Sequence, residues 1–183
     1  MRVLALMGSP RGGGNTDTLV TELLRGAQGV GADVEKVVLN KLKIRGCQAC
    51  DSCHKTGRCR INDDMQPLYD KLLDADVLVL GTPVYFWGPS AQLKPALDRW
   101  YALDQPGIRE KLAGKRMQLV CPFGDTDPKT ALPTVEMMRT ASTYMGMEWR
   151  EPLLAGGVNE KGEVAGDIAL MQRAYDIGAG LGR

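Results

Sequence analysis

Short apolar runs alternate along this chain with segments whose apolar residues recur at spacings of three and four. The runs at 2–7, 33–39, 76–81, 116–121 and 147–154 carry the valine, leucine and methionine content of strands covered on both faces. The segments at 16–28, 65–75, 90–103, 129–145 and 165–178 have the periodicity of helices with one buried face. This alternation predicts an α/β domain with a doubly wound, five-stranded parallel sheet. Right-handed crossovers and a ligand loop after the first strand favour the strand order 2-1-3-4-5. A ligand then sits outside the carboxyl ends of strands 1, 3 and 4, at the loops 8–15, 82–89 and 122–126.

The first of these loops reads Gly8-Ser9-Pro10-Arg11-Gly12-Gly13-Gly14-Asn15-Thr16. Strand, glycine-rich loop and helix make an anion cradle, because free N–H groups of the first helical turn and the helix dipole converge there. Gly12 to Gly14 let the backbone wrap the anion, and Ser9, Asn15, Thr16 and Thr18 add hydrogen-bonding groups. Arg11 adds a planar charged donor. A triphosphate loop needs a Lys after its last glycine, and here Asn15 follows Gly14. A dinucleotide loop needs Gly-x-Gly-x-x-Gly directly after the strand, and this loop opens Gly-Ser-Pro. A compact terminal monophosphate such as that of FMN fits what remains. The plainer alternative is a glycine-rich turn without a ligand.

The second loop places Pro83, Val84, Tyr85, Phe86, Trp87 and Gly88 together. Exposed aromatic residues in a turn suit a cover for a flat apolar ring, although they also suit packing under the next helix or a subunit contact. In the third loop, Phe123, Gly124 and Asp125 suit the polar edge of such a ring, a weak signal taken alone.

The segment 40–64 is too long for a simple turn and holds Cys47-x2-Cys50-x2-Cys53-x5-Cys59. Three closely spaced thiols with a fourth nearby suit a [4Fe–4S] cluster. Zinc and free thiols are the rival readings. His54 reads as a surface residue, and Cys121 as a small buried hydrophobe. If the four thiols hold a cluster, metal–thiolate bonds order the segment, which has too few apolar residues for a core of its own.

The 183 residues fit one domain, and with 44% hydrophobic residues they can build a core. A net charge of +1 argues against a nucleic-acid partner. No apolar run approaches the roughly 18 residues of a membrane span, and no signal peptide is visible. The expectation is a cytoplasmic protein, where cysteines serve as ligands or thiols rather than disulfides.

Three stretches together resemble the iron–sulfur flavoprotein branch of the NADPH-dependent FMN reductase family, of flavodoxin-like fold. They are Gly-Ser-Pro-Arg-x-x-Gly-Asn-Thr at 8–16, the cysteine run followed by Ile61-Asn62-Asp63-Asp64-Met65, and Pro83-Val84-Tyr85-Phe86 running into Ser90-Ala91-Gln92-Leu93-Lys94 and Asp98-Arg99. The resemblance implies that Ser9, Arg11, Asn15 and Thr16 hold the FMN phosphate. It implies that Pro83, Tyr85, Phe86 and Gly88 line the isoalloxazine ring, and that Cys47, Cys50, Cys53 and Cys59 hold a [4Fe–4S] cluster. It also implies a homodimer or homotetramer that exchanges electrons with small-molecule or redox-protein partners, NAD(P)H binding transiently as donor. No side-chain acid, base or nucleophile is required, because the flavin supplies the chemistry. The alternatives are a plain NAD(P)H:FMN or quinone reductase without metal, and a non-enzymatic electron carrier. Near-neutral charge argues against the carrier, since carriers dock through acidic surfaces.

Overall fold

The computed structural model describes residues 1–182. Its elements are β1 (Arg2–Met7), α1 (Asn15–Gly29), β2 (Asp33–Val38), α2 (Ser52–Thr56), α3 (Gln66–Asp74), β3 (Val77–Gly81), β4 (Val84–Tyr85), β5 (Gly88–Pro89), α4 (Lys94–Asp98), β6 (Arg116–Pro122), α5 (Leu132–Tyr144), β7 (Glu148–Trp149), β8 (Leu153–Ala155) and α6 (Ile168–Gly180). The main sheet is parallel and runs β2-β1-β3-β6-β7, with β8 also paired to β6.

Alternation along the strands divides the interior in two. Leu4, Leu6, Leu78, Leu80, Met117, Leu119 and Cys121 face one core, which is closed by Leu68 and Leu72 of α3, Ala96 of α4 and Met138 of α5. Val3, Ala5, Val77, Val79 and Val120 face the other, closed by Leu19, Val20 and Leu23 of α1 and Ala174 of α6. Both sheet faces are therefore buried, as the apolar runs require. Helices α1 and α6 approach closely at Gly26 and Gly178, where a Cβ would collide with the backbone carbonyl of Tyr175 or Leu23.

Several elements differ from the sequence expectation. The fifth strand is split into β7 and β8, so the main sheet has six strands. Pro152 lies in the gap and has no N–H for a ladder. The buried Gln118 side chain bridges it instead, donating to the Glu151 carbonyl at 2.9 Å. The helix expected at 90–103 is only Lys94–Asp98, with Pro95 in its first turn, and continues as a 3-10 turn at Arg99–Ala102. The next two helices begin later than expected, each after a 3-10 turn, at Pro128–Ala131 and Glu163–Gly166. Hairpin β4–β5 and helix α2 carry no periodic pattern long enough to be read in advance.

Parallel pairing brings the carboxyl ends of β1, β3, β6 and β8 to one edge: Met7 lies beside Gly81, Gly81 beside Val120, and Pro122 beside Ala155. The loops that leave this edge form the candidate site.

Candidate functional site

The glycine-rich loop is fixed to β3 and to the loop after it by hydrogen bonds of its own. The Gly8 N–H donates to the Gly81 carbonyl at 2.7 Å, and the Ser90 hydroxyl donates to the Gly8 carbonyl at 2.7 Å. A Cβ on Gly8 would come within 2.8 Å of Leu93 Cβ and 2.9 Å of Ser90 Oγ, so only glycine fits. Ser9 is buried, and its hydroxyl accepts the Arg11 N–H at 3.2 Å. Gly13 turns the chain with φ of 66°, and its N–H donates to the Asp17 carboxylate at 2.8 Å. Lys36 holds the same carboxylate at 2.6 Å. Burial opposes ionisation of Asp17, but Lys36 and the Gly13 N–H outweigh it and hold the carboxyl below the usual range.

Helix α1 has no side-chain cap. Its first N–H groups are left open toward a groove of about 200 Å³ lined by Ser9, Arg11, Asn15, Thr16, Tyr85 and Phe123, among others. None of the ion pairs among the described residues involves Arg11. Gly14 and Thr18 stand outside this lining; Gly14 is the N-cap, and its carbonyl accepts the Thr18 N–H at 2.9 Å. A second space of about 310 Å³ adjoins the groove and shares Val84, Phe123 and Gly124 with it. Phe86, Trp87, Asp125 and Thr130 complete it as an aromatic shelf. Pro83 lines the first space, whereas Gly88 belongs to β5 and lines neither. The second space alone reaches the lower end of the usual size of small-ligand sites, about 300–1,000 Å³. A larger cavity of about 760 Å³ opens at the other end of the sheet, beside Met1, Asp76 and Lys115, away from the convergent loops.

The shelf is built on a two-residue hairpin, β4 and β5, with Phe86 and Trp87 at its tip. Both have positive φ, 47° and 59°, as a type I′ turn requires. Asparagine and glycine usually fill these positions, so two bulky aromatics here hold strained backbone. Phe86 is 96% exposed and Trp87 57%. The Thr134 hydroxyl anchors the tip from α5, donating to the Trp87 carbonyl at 3.0 Å.

A fourth loop, 156–166, was not anticipated from sequence. It contributes Val158 and Asn159 to the first groove. The Asn15 amide spends its polar atoms on this loop, donating to the Glu160 carbonyl at 3.0 Å and accepting the Val164 N–H at 3.3 Å. Asn15 therefore ties the loop down as well as lining the groove. The adjacent Gly156-Gly157 and the alternating polar residues after β8 were the available signal, and they resemble any loop.

The four thiols differ in burial. Cys47 and Cys50 are exposed, Cys59 is half-buried and Cys53 is buried in α2. Among the described residues, no group of three or more His, Cys, Asp or Glu side chains is placed to hold a metal ion. As arranged, the donor set does not fit an iron–sulfur cluster. Protein contacts hold both ends of the segment. Arg99, 1% exposed, donates to Asp63 and to the carbonyls of Arg45 and Ile61. His54 is exposed and stacks on Tyr101 at 4.4 Å. Cys121 is buried, and burial pushes its thiol up to about 12.

Comparison with known proteins follows this geometry. The sequence pattern of the NADPH-dependent FMN reductase family matches residues 1–147. The chain belongs to that family. Its relatives include an iron–sulfur flavoprotein of Methanocaldococcus jannaschii, 41% identical over 54% of this chain and 51% of that protein. A Bacillus subtilis protein named for NAD(P)H-dependent, FMN-containing oxidoreductase activity is 27% identical over 95% of this chain and 94% of that one. The chain spans about half the length of most of the iron–sulfur flavoproteins it matches. In fold it is similar to an NAD(P)H:quinone oxidoreductase from Methanothermobacter marburgensis, with TM-score 0.77, 18% identity and coverage of 99% of this chain and 98% of that one. Azoreductase AzrA has TM-score 0.76, with 17% identity over 98% and 100% of the two chains. These solved structures establish the α/β flavodoxin-like architecture. Among the described residues, no helix is long and apolar enough to cross a membrane.

Proposed function

We propose that the chain binds FMN across the two adjoining spaces and moves electrons from a reduced nicotinamide to a small acceptor. One observation carries this reading: the uncapped start of α1, with Ser9, Arg11 and Thr16, faces a groove continuous with the aromatic shelf. The residues fit the group. The open N–H donors and Arg11 suit a dianionic phosphate. Val84, Phe123 and Trp87 suit the faces of a flat ring and keep water from them. Bound FMN supplies hydride and single-electron chemistry that no side chain here provides. The chain's own part is to bind, orient and shield, and no residue acts as acid, base or nucleophile. Phe86 and Trp87 also form the best candidate for self-association, as a homodimer or homotetramer, since aromatics so exposed are common at interface cores.

The test is fluorescence titration with FMN and riboflavin, beside steady-state NAD(P)H oxidation. Arg11→Ala is expected to weaken FMN binding by about 1.5–3 kcal/mol, the worth of a hydrogen bond to a charged group, and to leave riboflavin nearly unaffected. Equal FMN affinity in both proteins would remove Arg11 from the site.

A second reading adds a [4Fe–4S] cluster on Cys47, Cys50, Cys53 and Cys59. Cysteine spacing and the names of the iron–sulfur relatives favour it. It requires the 47–59 segment to rearrange on loading, and no electron-transfer step is assigned to it. A cytoplasmic location remains part of the proposal and rests on the sequence reading alone.

A further inference from the structure

The charges along the two spaces have opposite signs. Arg11 is the one charged residue among those lining the groove at the α1 end. Asp125 is the one charged residue among those lining the shelf, whose other walls include Phe86, Trp87 and Phe123. The Asp125 carboxylate is held in place on both oxygens. Oδ1 accepts the Asp127 N–H at 3.0 Å, and Oδ2 accepts the Thr130 hydroxyl at 2.7 Å. None of the ion pairs among the described residues neutralises it. These hydrogen bonds, the Asp127 N–H first, also keep the carboxyl below its ordinary range, so it is ionised at neutral pH.

We propose that Asp125 sets acceptor specificity, admitting flat neutral or cationic aromatic molecules to the shelf and disfavouring anionic ones. The inference rests on the FMN reading above. With Val84, Phe123 and Trp87 against the flavin, the exposed Phe86 ring remains to reward a planar apolar acceptor that stacks at the open side of the shelf. A fixed carboxylate beside that surface penalises an acceptor carrying negative charge and leaves an uncharged one alone. Asp125 acts here as a specificity residue, by through-space repulsion and without taking part in electron or proton transfer.

The test reads a ratio of rates on the FMN-loaded protein, photoreduced without air and mixed rapidly with one of two quinones. The neutral probe is 2-methyl-1,4-naphthoquinone, and the anionic probe is 1,4-naphthoquinone-2-sulfonate. In each case two electrons and two protons pass from reduced FMN to the quinone, giving FMN and the hydroquinone. Asp125→Asn removes the charge, keeps an oxygen to accept the Asp127 N–H, and reverses the second bond so that the new amide donates to the Thr130 hydroxyl. It is expected to raise the anionic-to-neutral rate ratio about fivefold, the scale of two unit charges several ångströms apart in a partly aqueous setting. Asp125→Glu should keep the wild-type ratio. Raising salt to 0.5 M should move the wild-type ratio toward that of Asp125→Asn, because an exposed charge is screened. A ratio that changes less than twofold in Asp125→Asn, or that ignores salt, overturns the proposal. If the neutral quinone fails to oxidise the reduced wild type, the acceptor reading itself fails, and this inference falls with it.

Discussion

The Arg99 guanidinium meets the Asp63 carboxylate at 2.9 Å with the two side chains only 1% and 6% exposed. The same guanidinium donates to the Arg45 carbonyl at 2.9 Å, the Ile61 carbonyl at 3.3 Å and the Tyr69 hydroxyl at 3.2 Å. One side chain thus fastens both ends of the cysteine segment to the run that follows the aromatic hairpin. Removing one partner of a buried pair leaves an uncompensated charge and costs about 3–5 kcal/mol. Asp63→Asn and Arg99→Met should each lower the unfolding free energy by that amount, read as a lower urea midpoint with the slope unchanged. A loss under 1 kcal/mol would mean that the pair does not hold the segment.

The same pair predicts a pH effect. Burial resists ionisation of Asp63, but Arg99 and the N–H groups of Arg45 and Met65 outweigh it and lower the folded-state pKa. A carboxyl with a depressed folded pKa contributes stability that is complete above its unfolded value, about pH 4, and lost as pH falls through the folded value. Wild type should therefore lose stability more steeply than Asp63→Asn below about pH 4. Parallel acid-unfolding curves would show that the carboxyl has no such shift.

Trp87 trades backbone strain for surface. A residue in the left-handed region costs roughly 1–2 kcal/mol, and glycine there removes that cost. Its edge contact with Phe86, at 6.2 Å between centroids, is the packing that a glycine forfeits; such contacts are worth about 0.5–1.5 kcal/mol. The two terms nearly cancel. Trp87→Gly should leave unfolding free energy within about 1 kcal/mol of wild type, while FMN affinity falls about tenfold, equivalent to roughly 1.4 kcal/mol. A stability loss above 2 kcal/mol, or unchanged FMN affinity, would contradict the shelf.

How much of this was legible in the sequence depends on the range of the interactions. The strands and the glycine-rich loop were readable because continuous apolar runs and a cluster of glycines are local signals, whereas the demand for glycine at position 8 itself comes from the distant Leu93, Ser90 and Gly81. The split between β7 and β8 was hidden, because Pro152 fits either side of an edge and only the distant Gln118 side chain closes the gap. The Phe86-Trp87 turn was readable as an aromatic cover but not as a type I′ hairpin, since bulky residues are the wrong signal for positive φ. Asn15 looked like a simple phosphate ligand, and its partners lie about 145 residues away in sequence. Arg99, an anchor of the cysteine segment, lies far along the chain and could not be read from the segment's own residues.

Gly8→Ala tests how rigidly the phosphate loop is set. The added Cβ would press on Leu93, Ser90 and the Gly81 carbonyl at 2.8, 2.9 and 3.0 Å. Overpacking of this kind costs about 1–3 kcal/mol. Relief requires Ser90 to move, which breaks its bond to the Gly8 carbonyl and displaces the loop. Gly8→Ala is expected to lose both stability and FMN affinity, whereas Gly12→Ala, with open space at its Cβ, should lose neither. Equal behaviour of the two variants would show that the loop moves freely.

The cysteine segment should leave FMN binding untouched when its thiols are changed. Its anchors are the Arg99–Asp63 pair, the Gln66 amide donating to the Cys59 and Ile61 carbonyls at 2.9 and 2.6 Å, and the Asp64 carboxylate accepting the Lys43 N–H at 2.7 Å. None of these uses a thiol, and the phosphate groove is built on β1 and α1 instead. Cys50 is exposed, so Cys50→Ser creates no cavity. Purified without air beside wild type, Cys50→Ser is expected to keep its fold and an FMN affinity within about twofold of wild type, a difference of roughly 0.4 kcal/mol. Iron and acid-labile sulfide measured in the same samples separate the two functional readings. Iron bound to wild type and lost from Cys50→Ser would establish that the thiols converge on a cluster. Iron-free wild type, made with iron in excess, leaves the plain FMN reductase. A large fall in FMN affinity in Cys50→Ser would overturn the separation of segment and groove.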